Sequence, residues 1–84
     1  MKNIRLRYFA AIREALGTGS EALQTQASTL AALRAELVAR GGAYADVLAP
    51  GKAVRVALNQ TMSDESAVLT EGAEVGFFPP VTGG

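Results

Sequence analysis

Hydrophobic and polar residues alternate near both ends of the sequence, in the pattern of β-strands that bury one face. In NIRLRYF, residues 3–9, the set expected to point inward is Ile4, Leu6 and Tyr8. The set expected to point outward is Arg5, Arg7 and Phe9. In EVGFF, residues 74–78, the expected inward pair is Val75 and Phe77, and the outward pair is Gly76 and Phe78.

Weaker patterns predict three further strands. EALQTQ, residues 21–26, follows a GTGS turn and would form an antiparallel hairpin with the first strand. In AVRVAL, residues 53–58, the inward set is Val54, Val56 and Leu58, and the outward pair is Arg55 and Ala57. Asparagine tolerates positive φ, so Asn59-Gln60 predicts a tight turn that returns as a short strand at Thr61-Met62. A second turn is predicted at residues 70–72.

Helical spacing is clearest in STLAALRAELVAR, residues 28–40. Ser28 or Thr29 can cap this helix, and Gly41-Gly42 would end it. Its apolar stripe is predicted to face the core, because a helix reserved for a partner would leave the sheet uncovered; the stripe is Leu30, Leu33 and Leu37. A shorter helix is predicted over residues 9–16, with Gly17 just past its end. Residues 43–52 are expected to be irregular apart from one helical turn at residues 44–48.

The predicted order is strand, strand, helix, strand, short strand, strand. One main amphipathic helix packed on one face of a mixed sheet is an α+β fold, and this order matches the ubiquitin-like β-grasp. In that fold the first and last strands are parallel neighbours at the centre of the sheet. We therefore expect a β-grasp domain over residues 1–78 and an extended C-terminal tail over residues 79–84 that ends in Gly-Gly.

The outward residues of the first, third and last strands would share one surface if these strands are neighbours. Aromatic residues among arginines on such a surface are typical of an interface. The alternative is that Phe9 belongs to the first helix and packs locally, so that this face has no partner. The arginines of this face also have two interpretations: they either steer an acidic partner or simply keep the face soluble. They are Arg5, Arg7 and Arg55.

Composition excludes several kinds of site. The 84 residues suffice for one domain, and 49% of them are hydrophobic, which indicates a folded chain. Cysteine and histidine are absent, which excludes disulfides and removes the commonest general base and metal ligand. The formal net charge of zero does not indicate nucleic acid or an anionic membrane as a partner. No apolar run reaches the roughly 18 residues of a membrane span, and the N-terminus is unlike a signal peptide, so we expect a cytoplasmic protein without a bound metal or cofactor.

The final stretch, PPVTGG, has the properties of a stiff arm with a thin tip. Pro79 and Pro80 fix φ and lack amide hydrogens, so they end the strand and hold an extended arm of roughly 20 Å. Gly83 and Gly84 have no Cβ and can pass through a channel too narrow for other residues. The chemical group at the tip is the Gly84 carboxylate, which becomes a good electrophile once ATP converts it to an acyl-adenylate.

Three stretches carry a resemblance to a known family: YFAAIRE at 8–14, ALNQTM at 57–62 and LTEGAEVGFFPPVTGG at 69–84. The chain resembles the small subunit of molybdopterin synthase, the MoaD group of ubiquitin-like sulfur carriers. The third stretch is the specific one, whereas residues 17–52 match in pattern and length alone.

The resemblance implies a mechanism. An adenylating enzyme like MoeB would use ATP to adenylate Gly84, and a sulfur donor would convert the product to a thiocarboxylate. The charged carrier would dock on the large synthase subunit, of the MoaE kind, within a heterotetramer. Two sulfur transfers to cyclic pyranopterin monophosphate would then make the dithiolene of molybdopterin. The carrier is on this view a recharged co-substrate and not an enzyme on its own.

The resemblance also assigns roles to residues. Gly84 would bear the thiocarboxylate, and Gly83 would be the other half of the required pair. The arm inserted into the partners would be Phe78, Pro79, Pro80, Val81 and Thr82. The hydrophobic docking patch would be Phe9, Met62 and Phe78. The assignment of Met62 to this patch rests on the resemblance alone, because alternation does not predict which way its side chain points. The sequence already ends in Gly-Gly, so no processing protease is expected.

Three other interpretations stay open. A sulfur carrier for thiazole synthesis shares the fold and the Gly-Gly end, but it typically lacks the FFPPV lead-in. A ubiquitin-like protein modifier would use the same adenylation step to form isopeptide bonds, but it usually carries a basic residue where this chain has Val81 and Thr82. A stand-alone binding module would be unaffected by the loss of Gly83 and Gly84.

Overall fold

The computed structural model describes residues 1–79 as a five-stranded mixed sheet with three helices. The strands are β1 (Lys2–Tyr8), β2 (Ser20–Thr25), β3 (Arg55–Leu58), β4 (Thr61–Met62) and β5 (Glu74–Phe78). The helices are α1 (Ala10–Leu16), α2 (Leu30–Val38) and α3 (Gly42–Leu48). The predicted tail residues Pro80, Val81, Thr82, Gly83 and Gly84 lie outside the described residues.

The strand order is β2-β1-β5-β3-β4, with β1 and β5 parallel and the other neighbours antiparallel. This confirms the predicted central pair and the hairpin of the first two strands, which α1 connects. The predicted alternation is also confirmed. The inward residues of the central pair are buried, namely Ile4, Leu6, Tyr8, Val75 and Phe77.

The longest helix, α2, is shorter than predicted at both ends. Thr29 caps it, since its hydroxyl oxygen accepts a hydrogen bond from the Ala32 N–H at 3.1 Å. The regular helix ends at Val38, two residues before the predicted end at Arg40, because the last turn tightens and the N–H of Gly41 donates to the Val38 carbonyl. Gly41, with a φ of 76°, precedes α3, which confirms the predicted helical turn at residues 44–48 and begins two residues earlier than expected.

The core lies between the helices and the inward face of the sheet. The predicted stripe of α2 is fully buried there, and α1 and α3 add one buried residue each; these five are Leu30, Leu33, Leu37, Ile12 and Leu48. Each buried leucine stabilises the fold by about 1.5–3 kcal/mol. Among residues 1–79 no helix has the length and apolarity needed to cross a membrane.

Arg34 is buried beside this stripe, which the pattern of α2 did not predict. Its guanidinium forms an ion pair of 2.6 Å with Glu65. It also donates hydrogen bonds of 2.6, 2.7 and 2.9 Å to the carbonyl oxygens of Leu48, Ala49 and Lys52. One side chain of α2 therefore holds the end of α3, the loop that leads into β3, and the segment between β4 and β5.

Candidate functional site

Two aromatic rings are in contact on the outward face of the sheet. Phe9 follows β1 and Phe78 ends β5, so the parallel pairing of these strands brings them side by side. Their ring centroids are 4.4 Å apart and their planes differ by 3°. Phe9 is the residue before α1, as one interpretation expected, yet its extended backbone continues β1 and its N–H donates to the Phe77 carbonyl. It therefore belongs to the outer face as well.

A glycine lies beneath the rings. Gly76 of β5 and Ala57 of β3 are directly paired, and their other neighbours extend this row to Arg7 of β1 and Met62 of β4. A Cβ at position 76 would lie 3.2 Å from the Cε2 atoms of both Phe9 and Phe78. Glycine therefore allows the edges of both stacked rings to approach the sheet backbone. Ala57 faces outward as predicted, but its neighbours cover it and leave it 5% exposed.

The rings and this row border a shallow groove of about 180 Å³. Met62 forms part of its wall and is 53% exposed. The structure thus brings together Phe9, Met62 and Phe78, the three residues that the resemblance grouped, and we refer to them as the apolar patch. Gln60 and Glu74 add polar groups to the wall of the groove. Sequence reasoning did not assign them to this site, although both lie in the stretches that carry the resemblance.

The β3–β4 turn positions Met62. Asn59 and Gln60 have φ values of 51° and 70°, both in the left-handed region, as two-residue hairpin turns require. The Asn59 side-chain oxygen accepts a hydrogen bond of 3.0 Å from the Glu74 N–H, and the Asn59 N–H donates to the Glu74 carbonyl at 2.8 Å. These bonds join the turn to β5. The predicted turn is therefore confirmed, and it places Met62 next to the two rings.

Arginines flank the apolar patch. The Arg7 guanidinium carbon lies 5.8 Å from the centroid of the Phe9 ring, within the range of a cation–π contact. Arg55 is the direct cross-strand partner of Phe78. Arg5, Arg7 and Arg55 are exposed, and none of them forms an ion pair within residues 1–79.

A strongly raised pKa occurs at Tyr8, away from the patch. Burial, reinforced by the carboxylate of Glu21, raises the pKa of Tyr8 far above its ordinary value. Tyr8 points to the core, on the opposite side of the sheet from the rings. An exposed apolar surface bordered by polar and cationic groups is suited to binding another protein.

The tail begins at this surface. Pro79 directly follows Phe78 and is half-buried. The proposed reactive residues, Gly83 and Gly84, and the arm residues Pro80, Val81 and Thr82 lie outside the described part of the chain. What the structure describes is therefore the root of the tail and the surface beside it.

Comparison with known proteins identifies the family of this chain. The model of the ThiS family matches residues 6–84. The molybdopterin synthase sulfur carrier subunit of Escherichia coli is 41% identical over 81 residues, which is 96% of this chain and 99% of the relative. The protein of the same name from Haemophilus influenzae is 37% identical over 81 residues, with coverage of 96% and 99%.

Solved structures have the same fold. The small archaeal modifier protein 1 of Haloferax volcanii superposes with a TM-score of 0.80 at 20% identity, over 96% of this chain and 100% of that one. At this identity the likeness shows the fold alone, and it confirms the predicted β-grasp. A protein–protein complex of subunits 1 and 2 of molybdopterin-converting factor from Helicobacter pylori contains a chain with a TM-score of 0.68 and 25% identity, over 98% of this chain and 99% of that one.

Proposed function

The chain belongs to the ThiS family, and from this premise we propose that it is the sulfur carrier subunit of molybdopterin synthase. A MoeB-like activating enzyme transfers AMP from ATP to the carboxylate of Gly84 and releases pyrophosphate. A sulfur donor then displaces AMP and leaves a thiocarboxylate at Gly84. The carrier gives this sulfur to cyclic pyranopterin monophosphate and returns to the carboxylate, so two charged carriers complete one dithiolene.

The observation that carries the proposal is the position of the apolar patch at the root of the tail. Phe78 belongs to both, because its ring stacks on Phe9 and its backbone continues into Pro79. A partner that binds the patch therefore fixes the start of the tail relative to itself. The remaining chain to Gly84 can extend roughly 20 Å, which is enough to reach a reaction centre inside the partner.

The comparisons support the choice of partner. Two relatives are named as carrier subunits of molybdopterin synthase, and the Helicobacter pylori neighbour was solved with subunit 2 of the converting factor. We accordingly assign a MoaE-like large subunit as the docking partner, in a cytoplasmic heterotetramer. The carrier itself holds no metal or cofactor in this scheme, and ATP is consumed in the site of the activating enzyme.

Intact mass spectrometry tests the chemistry at Gly84. The full chain is incubated with ATP, the activating enzyme and a sulfur source, and its mass is expected to rise by the replacement of one oxygen by sulfur. A chain that lacks Gly84 is the matched control, since it keeps the whole described domain but loses the reactive residue. An unchanged mass with an activating enzyme of proven activity would contradict the proposal. A ladder of conjugates to lysines would indicate a protein modifier instead.

A further inference from the structure

In the part of the chain that the structure describes, two arginines on the helix side form ion pairs, whereas two on the outward face of the sheet do not. Within residues 1–79 the ion pairs lie on the helix side, where they join Arg34 to Glu65 and Arg40 to Glu21. On the outward face of the sheet, Arg7 and Arg55 are exposed and have no carboxylate partner in the same part of the chain. Positive charge that is not paired within this part of the chain therefore lies beside the apolar patch.

The two arginines flank the patch from opposite sides. Arg7 is paired with Gly76 across the β1–β5 ladder, and Arg55 is paired with Phe78 across the β3–β5 ladder. Because β5 lies between them and the two pairs are two residues apart, their Cα atoms are separated by roughly 12 Å. The contact of Arg7 with the Phe9 ring holds its guanidinium close to the patch.

Acidic residues on this face do not cancel this charge. Glu74 borders the groove, but its backbone pairs with Arg5, which lies two residues before Arg7 in β1. No ion pair joins Glu74 to Arg7 within residues 1–79. Arg55 and Met62 also line a second hollow, of about 430 Å³, together with Asp64 and Glu65. Glu65 is already paired with Arg34, and Asp64 forms no ion pair with Arg55 within residues 1–79. The positive groups nearest the stacked rings are therefore available to another molecule.

We propose that the surface of the large subunit that covers the apolar patch carries two carboxylates, one facing Arg7 and the other facing Arg55. This inference rests on the proposed function, and it specifies the charged groups on the surface of the partner. Guanidinium groups bind carboxylates through paired charge-assisted hydrogen bonds, which strengthen when an apolar contact beside them excludes water. Charges at the border of an interface also accelerate association and select among partners.

Three single variants that each remove one positive charge test this inference: Arg7→Gln, Arg55→Gln and Lys52→Gln. Lys52 is the matched control, because it is exposed in the loop before β3 and does not border the groove. Association with the large subunit from the same organism is measured by stopped-flow fluorescence over a range of salt concentrations, after thermal unfolding has shown that each variant is folded. We expect Arg7→Gln and Arg55→Gln each to slow association about fivefold at low salt and to weaken its salt dependence. Lys52→Gln should stay within about twofold of the unaltered chain.

The outcomes separate the two proposals. If both arginine variants associate at the rate of Lys52→Gln, with the same salt dependence, the partner does not present carboxylates to them and the inference is wrong, while the proposed function is unaffected. If the unaltered chain forms no complex with the large subunit at any salt concentration, the proposed function is contradicted and this inference with it. A slower rate confined to Arg7→Gln and Arg55→Gln supports the inference.

Discussion

The rings of Phe9 and Phe78 stack at a centroid distance of 4.4 Å, although they come from opposite ends of the chain. Parallel pairing of β1 and β5 makes this contact, so the apolar patch exists only once the centre of the sheet has formed. Pro79 then leaves the sheet from the same place. The fold therefore joins the surface that we propose as the docking site to the start of the segment that we propose is delivered to the partner.

Replacing Phe78 by alanine should weaken binding of the large subunit by about 30-fold or more, because buried aromatic side chains dominate interface energies. The free energy of unfolding should fall by about 1–3 kcal/mol, since this ring is only half-buried in the free chain. Val68→Ala is the control, as Val68 is apolar, 66% exposed and does not border the groove. Isothermal titration calorimetry measures the binding. Equal affinities of the two variants would show that the patch is not the docking surface.

A methyl group at position 76 should disturb the stacked rings. The Cβ of Gly76→Ala would meet Phe9 and Phe78 at 3.2 Å, so the rings must move, at a cost of about 1–3 kcal/mol in the free energy of unfolding. Gly51→Ala is the matched control, because a Cβ there meets no atom within 4 Å. Chemical denaturation compares the two. A Gly76→Ala variant as stable as Gly51→Ala would contradict the tight packing described here.

Arg34 should contribute much more to stability than Arg40, although each forms one ion pair. Arg34→Met removes charge-assisted hydrogen bonds to three backbone carbonyl oxygens and the ion pair with Glu65, and we expect a loss of about 2–4 kcal/mol in the free energy of unfolding. Arg40→Met removes a partly exposed pair with Glu21, and we expect a loss of at most about 1 kcal/mol. Urea denaturation of both variants measures the difference. Equal losses would mean that the carbonyl contacts of Arg34 contribute little.

Stability should fall as the pH rises above 10. Burial raises the pKa of Tyr8 in the folded chain above the ordinary tyrosine value of 10.0. Above that value the unfolded chain releases the Tyr8 proton while the folded chain keeps it, so the free energy of unfolding decreases. Tyr8→Phe should reduce this decrease, and at neutral pH it should cost little, because the buried hydroxyl has no hydrogen-bond partner within residues 1–79.

Tyr44→Phe is the control for that measurement. The Tyr44 hydroxyl donates a hydrogen bond of 3.0 Å to Glu21, so its loss should cost about 1 kcal/mol at neutral pH. Chemical denaturation at neutral pH and above pH 10 measures the free energy of unfolding of Tyr8→Phe, of Tyr44→Phe and of the unaltered chain. A Tyr8→Phe variant with the same decrease at high pH as the unaltered chain would show that Tyr8 is not the group responsible.

The sequence predicted the parts of the fold that follow from short-range patterns. Alternation identified the inward residues of β1 and β5, and asparagine at position 59 indicated the turn before β4. The alternation held because a one-residue slip would expose the core. The turn held because asparagine tolerates the positive φ that it requires. Of the site, alternation placed Phe9 and Phe78 on one face, whereas Met62 needed the family resemblance, since a two-residue strand has no period to read.

Contacts between distant segments could not be predicted in this way. Arg34 looks like an exposed helix residue in the sequence, and only the approach of the loop after α3 supplies the carbonyl oxygens that make its burial favourable. Gly76 looks like an unremarkable strand glycine until the two rings that cover it are known. The carbonyl partners of Arg34 lie 14 to 18 residues away, and one of the two rings over Gly76, that of Phe9, comes from the other end of the chain, so the local pattern does not reveal these contacts.

The most direct test of the carrier mechanism is single-turnover sulfur transfer. The chain bearing a thiocarboxylate at Gly84 is mixed with the large subunit and cyclic pyranopterin monophosphate, and both its intact mass and the pterin product are followed. The mechanism predicts that the mass returns to that of the carboxylate and that two carriers are consumed for each dithiolene formed. A thiocarboxylate that persists beside a large subunit proven active with another carrier would contradict it.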